Sequence, residues 1–329
     1  MKILKKVLLS FAVCGMALSA IAIQDVKAAE PIVLKQALNS KKSASVTIKA
    51  RAEQAIKVVR DKTTYVVIEL DNSFIKASFV DASGNKTSPY SVSENGHYYF
   101  YGKFTAGTNY VVLKNDYSTD KTTNYALYSY EPPKVSFNYT KCEGISIKSS
   151  KTIYYRSPSR YASYIYGSTT PSVNLSFTSG NTKLLTLKKT SNTWADIYTK
   201  KYGITTITVT TAGYTDTYGR YYAPNSRKIT FTVKPRTPSG SVSNKYRKAL
   251  YFKWTKDSLC TGYKIQIATN KKFTKGVKTK YVGGSKKTYT LKGLKKGRKY
   301  YFRMATYKKV GSKKLWSKWG AGYSYIKVR

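Results

Sequence analysis

The sequence predicts an all-β protein of three tandem β-sandwich domains behind an export signal. Apolar stretches alternate with polar residues at a period of two, which places one face of each stretch on a core and the other in water. The stretches end in Gly, Asn, Ser or Pro, and strand-favouring Tyr, Val, Ile, Thr and Phe are frequent. Two proline-marked joints, Glu131-Pro132-Pro133-Lys134 and Lys234-Pro235-Arg236-Thr237-Pro238, divide the chain into three parts.

The first 28 residues have the pattern of a signal peptide. Three lysines precede an apolar run from Val7 to Ile23, and Val26-Lys27-Ala28 places small residues where a signal peptidase cleaves. A membrane anchor is the weaker alternative, because the run is near the lower limit of about 17 to 25 residues for a span. Cys14 raises the alternative of a lipoprotein signal, which Val13 disfavours. We therefore expect a secreted protein, extracellular or associated with the cell surface.

Residues 30–133 are predicted to form the first domain, a jelly-roll-like β-sandwich. A strand at Tyr65–Leu70 is followed by Phe79–Asn85, by the aromatic-rich stretch Tyr98–Phe104, and by an Ala106-Gly107-Thr108 turn before Val111–Leu113. This order resembles the jelly-roll domain appended to secreted bacterial peptidases. That domain is an accessory, so the resemblance implies no catalytic residues.

Residues 134–235 are predicted to form the second domain. Leu184–Leu187 is followed by a long alternating stretch, Tyr202–Thr210, and the region closes with Ile229–Val233. The glycine that opens the alternating stretch and the closing strand are similar to bacterial immunoglobulin-like (Big) domains. The resemblance is strongest in the second half of the region.

Residues 236–329 show the clearest alternation. Its apolar positions are Leu250, Phe252 and Trp254, then Tyr263, Ile265 and Ile267, and later Tyr300, Phe302 and Met304. With the Leu291–Tyr300 segment between them, these strands resemble a fibronectin type III domain, in which Trp254 is the second-strand tryptophan and Tyr300 the tyrosine corner. Lys296 replaces the usual proline before Gly297, and Thr306 replaces a usual alanine.

The sequence indicates a protein that is not an enzyme. Nucleophilic hydrolysis needs a base beside the nucleophile, and zinc sites need several His or Cys ligands, yet the chain has a single histidine, His97. Asp81, Ser83 and Asn85 imitate a calcium loop, but Val92 occupies the position of its closing glutamate, which favours a tight turn. We predict no catalytic residues, no metal and no cofactor.

Cysteine usage does not indicate a disulfide framework. Cys142 and Cys260 remain after signal cleavage and fall in different predicted domains. Both are interpreted as buried, apolar side chains. The sequence leaves open whether the two thiols are free.

Positive charge increases steeply along the chain. Residues 30–133 carry 13 Lys/Arg against 10 Asp/Glu, residues 134–235 carry 15 against 3, and residues 236–329 carry 27 against 1. The last region therefore has an excess of 26 positive charges, and its only acid is Asp257. Such a region repels itself, which favours a normal partner that is a polyanion.

The fibronectin-like alignment predicts where a polyanion contacts this region. It places the third, sixth and seventh strands in one sheet, whose outward residues are Lys264, Gln266, Tyr301, Arg303, Tyr307, Tyr325 and Lys327. Cations between tyrosines bind anionic polymer by charge pairing and stacking. The alternative is a solvated sheet with lysines that oppose edge aggregation and tyrosines in cross-strand pairs. The segment Trp316-Ser317-Lys318-Trp319 echoes a tryptophan–cation ladder known in some fibronectin-like relatives.

The second region has its own tyrosine-dense stretch. It contains Tyr154-Tyr155-Arg156, Tyr161, Tyr164 and Tyr166. Two interpretations stay open, a loop that stacks on glycans and ordinary packing of strand and loop residues, of which packing is favoured.

These features predict a non-catalytic, secreted protein of the bacterial cell surface. Its basic C-terminal module is expected to bind an anionic polysaccharide or cell-wall polymer such as teichoic acid and to display the first domain, with no membrane span in the mature chain. One alternative is adhesion to host polyanions such as sulfated glycans, or to extracellular DNA. Others are modules that act only as structural spacers and, more weakly, a secreted hydrolase or hydrolase accessory protein.

Overall fold

The computed structural model describes residues 32–33, 43–156, 159–321 and 325–329. The predicted signal peptide, residues 1–28, lies outside this range. The described residues form β-strands and no α-helix, so the all-β prediction is confirmed. Within the same ranges, no helix is present that could cross a membrane.

The described chain forms two compact units. Unit 1 comprises the described residues up to Lys134 together with Gly213–Ala223. Unit 2 comprises Val135–Ala212 and Pro224–Arg329. Unit 1 holds one hydrophobic core and unit 2 holds two, each between a pair of β-sheets. The domain boundaries predicted at residues 133–134 and 235–236 stay predictions.

Unit 1 is a sandwich of two five-stranded sheets with an added hairpin. One sheet has the strand order β1-β3-β9-β5-β6, the other β2-β10-β4-β8-β7. The strands are β1 (Ile32–Val33), β2 (Ser43–Ile48), β3 (Glu53–Arg60), β4 (Thr64–Leu70), β5 (Ile75–Val80), β6 (Lys86–Thr87), β7 (Val92–Glu94), β8 (His97–Phe104), β9 (Gly107–Asn115), β10 (Lys121–Ser129), and the hairpin strands β19 (Tyr214–Thr215) and β20 (Tyr221–Tyr222).

The core of unit 1 follows the alternation of its strands. On β9, Val111 and Leu113 are fully buried. Phe79 of β5, in the same sheet, meets Phe104 of β8, in the facing sheet, edge to face with ring centroids 6.1 Å apart. Each such side chain contributes about 1.5–3 kcal/mol through removal from water. The buried polar end of β9, Asn115, is satisfied, because its amide donates to the carbonyls of Ile48, Lys49 and Thr119.

The hairpin Gly213–Ala223 completes unit 1 by docking on β4 and β8. The ring of Tyr221 stacks on that of Tyr65 at 4.5 Å with the planes 4° apart, and the Tyr221 N–H donates to Tyr130 Oη at 2.9 Å. Gly219 is required at the turn, since its φ is +77° and a Cβ there would lie 2.3 Å from the Tyr101 carbonyl oxygen. The hairpin is thus held by side chains far from it in sequence.

The second core lies in unit 2 between sheets of order β12-β11-β14-β17-β16 and β13-β21-β18-β15. Strand β18 shows strict alternation of buried and half-buried residues over its whole length. The strands are β11 (Ser136–Cys142), β12 (Ile145–Ser146), β13 (Ser150–Tyr154), β14 (Ser163–Thr170), β15 (Leu175–Ser179), β16 (Leu185–Ser191), β17 (Trp194–Thr199), β18 (Gly203–Thr211) and β21 (Ser226–Lys234).

The third core lies between a sheet of order β22-β23-β26 and a sheet of order β25-β24-β27-β28, in which β29 and β30 also pair with β27. The strands are β22 (Gly240–Ser243), β23 (Ala249–Trp254), β24 (Gly262–Ala268), β25 (Lys278–Gly283), β26 (Thr288–Lys292), β27 (Lys299–Val310), β28 (Lys313–Trp316), β29 (Gly320–Ala321) and β30 (Ile326–Lys327). The predicted alternation is confirmed on β23, where Leu250, Phe252 and Trp254 are buried. The hydroxyl of Tyr300 accepts the Lys295 N–H at 3.4 Å, as a tyrosine corner requires.

The hairpin contact predicts the effect of Tyr130→Phe. The change removes the acceptor of the Tyr221 N–H, so exchange of that amide hydrogen should become about 2- to 12-fold faster, which corresponds to about 0.5–1.5 kcal/mol. Residue-resolved hydrogen exchange measures this. Tyr90→Phe, at a side chain that is 76% exposed, is the control. Unchanged protection of Tyr221 in Tyr130→Phe would contradict the assigned bond.

Buried tyrosines predict loss of stability at alkaline pH. Burial raises the pKa of Tyr65 to about 12, and it also raises the pKa of Tyr130 to about 12. The unfolded chain loses these protons near pH 10, while the folded chain keeps them. The stability is therefore fully present below pH 10 and is lost as the pH rises toward 12. Phenolate absorbance should show the buried tyrosines ionising together with unfolding above pH 10; complete ionisation without unfolding would contradict this.

Candidate polyanion-binding surface

Cations dominate the surface around the third core. All 27 Lys and Arg residues of 236–329 belong to the described chain, and 24 of them are exposed. The other three, Lys264, Arg303 and Lys308, are half-buried. The positive charge counted from the sequence is therefore presented to solvent.

The single acid of this region does not reach the surface. Asp257 is 7% exposed, and its carboxylate accepts the hydroxyl hydrogen of Tyr202 and, at 3.0 Å, the Leu259 N–H. Burial and the bond to this carboxylate raise the pKa of Tyr202, which keeps the phenol protonated as a donor. No acidic side chain of residues 236–321 and 325–329 is consequently exposed to offset the 24 cations.

The first unit balances its charges locally. Lys49 pairs with Asp120 at 2.8 Å, and Asp116 pairs with both Lys76 and Lys114 at 2.8 Å. The two lysines hold the pKa of the Asp116 carboxyl down to about 2. Surface pairs of this kind stabilise the fold little, but they cancel the field that a distant anion would feel.

Five of the seven residues predicted to bind polyanion lie on one face of the β24–β27 pair. Lys264 and Gln266 are on β24; Tyr301, Arg303 and Tyr307 are on β27. In register, Gln266 is opposite Arg303. The third, sixth and seventh strands of the fibronectin-like alignment share one sheet as predicted, because β24 and β30, the strand that carries Lys327, both pair with β27.

Tyr325 and Lys327 belong to a second cluster, at the start of β27. Lys327 on β30 is in register with Lys299, and the Tyr325 ring meets the Tyr301 ring edge to face at 6.0 Å. The ammonium of Lys299 lies 4.2 Å from the Tyr325 ring centroid. A hydrogen bond from Lys299 lowers the pKa of Tyr325, whose side chain is 41% exposed.

Gln266 is buried on this face and is committed to neighbouring side chains. Its Oε1 accepts a hydrogen bond from Arg303 Nε at 2.8 Å, and its Nε2 donates to Thr279 Oγ1 at 3.0 Å. The amide therefore fixes the Arg303 guanidinium and links three strands. Its role in the structure is to position Arg303 rather than to face solvent.

Arg303 and Lys264 lie between aromatic rings in an aromatic–cation ladder formed by Phe273, Arg303, Trp319, Lys264 and Trp316. The guanidinium carbon is 4.2 Å from the centroids of both the Phe273 and Trp319 rings. The Lys264 ammonium is 5.5 Å from the Trp319 centroid and 5.6 Å from that of Trp316. Burial lowers the pKa of Arg303, which still stays charged at neutral pH. Each contact contributes about 0.5–2 kcal/mol.

The ladder was only partly visible in the sequence. The Trp316–Trp319 segment indicated it, but the sequence did not indicate Phe273, nor Tyr281 and Lys314, which extend the ladder from Lys264. Tyr281 lies opposite Lys264 on β25, and Lys314 is 5.1 Å from its ring centroid. Phe273 is in a loop, so no alternation marks it. Tyr281 could have been found only from the register of β24 and β25.

Tyrosines of the second core pack against one another. Tyr164 and Tyr166 on β14 both stack on Trp194 of β17, at 4.6 and 4.8 Å. Tyr155 meets Tyr202 edge to face at 5.1 Å. Tyr161 is 52% exposed. For Tyr155, Tyr164 and Tyr166, these contacts agree with the packing interpretation.

His97 and Asp81, outside this region, make polar contacts within the first unit. His97 Nδ1 lies 3.1 Å from the buried Glu69 carboxylate, which also accepts the Tyr128 hydroxyl at 3.3 Å. Asp81 accepts the N–H groups of Ser83 and Asn85 at 2.9 Å each, so the predicted tight turn is confirmed.

The two described cysteines are free thiols. Cys142 is buried and Cys260 is half-buried, so the prediction of burial holds fully only for Cys142. Burial raises the pKa of both thiols, which disfavours the reactive thiolate.

Comparison with known proteins identifies one domain. Residues 233–321 match the Fibronectin type III domain family. Similar solved structures include the fn3 domain of human collagen alpha-1(XX) chain (17% identity, 28% of this chain and 85% of that chain, TM-score 0.24) and a two-domain fibronectin type III segment of chicken tenascin (14%, 54% and 97%, 0.37). A cytokine receptor complex matches at 17% identity, over 48% of this chain and 94% of that chain, with a TM-score of 0.29. No curated protein matches the chain.

The buried carboxylate predicts the effect of Tyr202→Phe. The change removes a hydrogen bond to a charged, buried group and should lower the free energy of unfolding of unit 2 by about 1.5–3 kcal/mol. All four tryptophans lie in unit 2, so urea unfolding followed by tryptophan fluorescence reports on that unit alone. Tyr161→Phe, at an exposed ring, is the matched control and should leave the midpoint unchanged. Equal midpoints for both variants would exclude a stabilising role for the bond.

Proposed function

We propose that this chain is a non-catalytic, exported surface protein whose basic C-terminal module holds it on an anionic polymer of the cell surface. One observation carries the proposal. The region 236–329 presents 24 cations to solvent, while its only acidic side chain, that of Asp257, is buried against Tyr202. An anionic cell-wall polymer of the teichoic-acid type has the complementary charge, and the first, nearly balanced domain is then displayed outward.

The physical basis is the release of counterions. A polyanion carries a condensed layer of small cations, and a protein that replaces them with lysine and arginine releases them into solution. Within residues 236–321 and 325–329 no ion pair engages these cations, so none has to break before they contact a polyanion. The same charges repel one another in the free protein, and a bound polyanion relieves that repulsion.

The domain type supports a binding role rather than a chemical one. Fibronectin type III domains are typically non-catalytic modules, and residues 233–321 match that family. Adhesion to sulfated host glycans or to extracellular DNA uses the same charge physics, so these alternatives become outcomes of the binding test. A spacer role requires no affinity for any polyanion.

Salt dependence tests the proposal on the full-length chain. A contact that neutralises about 6–10 charges should weaken roughly 10³- to 10⁵-fold between about 50 and 200 mM salt. Elution from a resin that carries inorganic polyphosphate measures this. The triple variant Lys271→Gln, Lys280→Gln and Lys313→Gln should elute at clearly lower salt than the parent chain.

The control removes the same number of charges from the first domain. It changes three exposed lysines to glutamine: Lys62, Lys86 and Lys103. Equal shifts for the two triple variants would show that net charge, and not the C-terminal module, determines retention. Failure of the parent chain to bind at physiological salt would overturn the proposal and favour the spacer role.

A further inference from the structure

The sheet opposite the predicted binding face carries a cationic cleft. It has a volume of about 600 Å³ and lies at the end of β23 and β26. Arg247, Lys248 and Lys292 line it, and all three are exposed. Tyr246, which is 46% exposed, forms one wall.

The backbone holds these side chains around the cleft. Lys248 has a φ of +53°, a left-handed conformation that is uncommon for a residue with a side chain. Its N–H donates to the main-chain oxygen of Arg329 at 2.8 Å, and its carbonyl accepts the Leu294 N–H at 3.0 Å. Lys292 is brought alongside because it is in register with Ala249, the residue after Lys248. Three cations, two from the turn before β23 and one from the end of β26, therefore surround one space.

A fourth cation supports the aromatic wall. The Lys245 ammonium lies 3.9 Å from the Tyr251 ring centroid and 4.8 Å from that of Tyr246. The two rings meet edge to face at 5.8 Å. Lys245 is thus engaged with rings, as Lys264 and Arg303 are on the opposite sheet, whereas no ring contact engages Arg247, Lys248 or Lys292 in the described chain.

The positive charge of the cleft favours an anionic ligand. Asp257 is the only acid of residues 236–329, and its carboxylate is buried elsewhere, so no acidic side chain of this region competes for the three cations. A guanidinium fork matches two oxygens of one anionic group, and lysines add point charges around it. A tetrahedral oxyanion, phosphate or sulfate, fits this chemistry better than a planar neutral group does.

We propose that this cleft binds a phosphate or sulfate group of the anionic polymer and so fixes the register of the polymer on the C-terminal module. This inference rests on the proposed function, because it names the site at which that function is carried out. It differs in location from the predicted face on β24 and β27, whose half-buried cations are held by rings. The exposed cations elsewhere then add charge attraction without fixing a position.

Two double variants of equal charge test the cleft in the full-length chain. The cleft variant is Arg247→Gln with Lys292→Gln. The control is Lys286→Gln with Lys287→Gln, two exposed lysines between β25 and β26 that do not line the cleft. At one fixed salt concentration, the cleft variant should bind inorganic polyphosphate or heparin at least about tenfold more weakly than the control. The probe that shows this difference identifies phosphate or sulfate as the group bound.

A charge-preserving variant separates geometry from charge. Arg247→Lys keeps the charge but removes the guanidinium fork, so affinity should fall although the net charge is unchanged. Unaltered thermal unfolding of each variant establishes that the fold is intact. Equal losses in the cleft and control double variants would overturn the cleft and leave polyanion binding standing. A parent chain that binds neither probe would overturn the proposed function itself.

Discussion

The hydrogen bond between Tyr202 and Asp257 engages the one acidic side chain of the C-terminal region in the interior of unit 2. With this side chain buried, every exposed charged side chain of residues 236–321 and 325–329 is a cation. The fold tolerates this because its stability comes from an apolar core, while exposed charges more than about 10 Å apart are largely screened at 0.1 M salt. The core outweighs the repulsion that remains, so the module is folded while its cations stay available to an external anion.

The two sheets around the third core use their cations differently. On the sheet of β24 and β27, aromatic rings and the buried amide of Gln266 hold Arg303, whose guanidinium is therefore partly removed from water. On the opposite sheet, Arg247 and Lys292 remain exposed beside a cleft. Aromatic–cation contacts thus engage Lys264 and Arg303 on one sheet, while Arg247 and Lys292 beside the other sheet stay exposed and available for an anion.

The hairpin Gly213–Ala223 shows that local alternation does not predict which core a segment packs on. Its residues lie between strands of the second core in sequence, yet they belong to unit 1 through the contacts of Tyr221 with Tyr65 and Tyr130. Nothing in a local pattern marks such a contact, since the partners are about 90 to 160 residues apart and the hairpin strands have only two residues each. The proline-marked joints predict domain boundaries, but they do not predict which segment packs on which core.

Local periodicity and composition were enough to establish the all-β class, the fibronectin-like strands of residues 236–329 and the gradient of charge. None of these depends on which strand lies beside which. Only the packed chain shows that Gln266 is buried, that Phe273 and Tyr281 join the ladder, that Asp257 meets Tyr202, and that Arg247 and Lys292 share a cleft. A period of two assigns a residue to a face, but register and strand order assign its neighbours. Register and strand order are fixed only when segments that are distant in sequence pair around a common core.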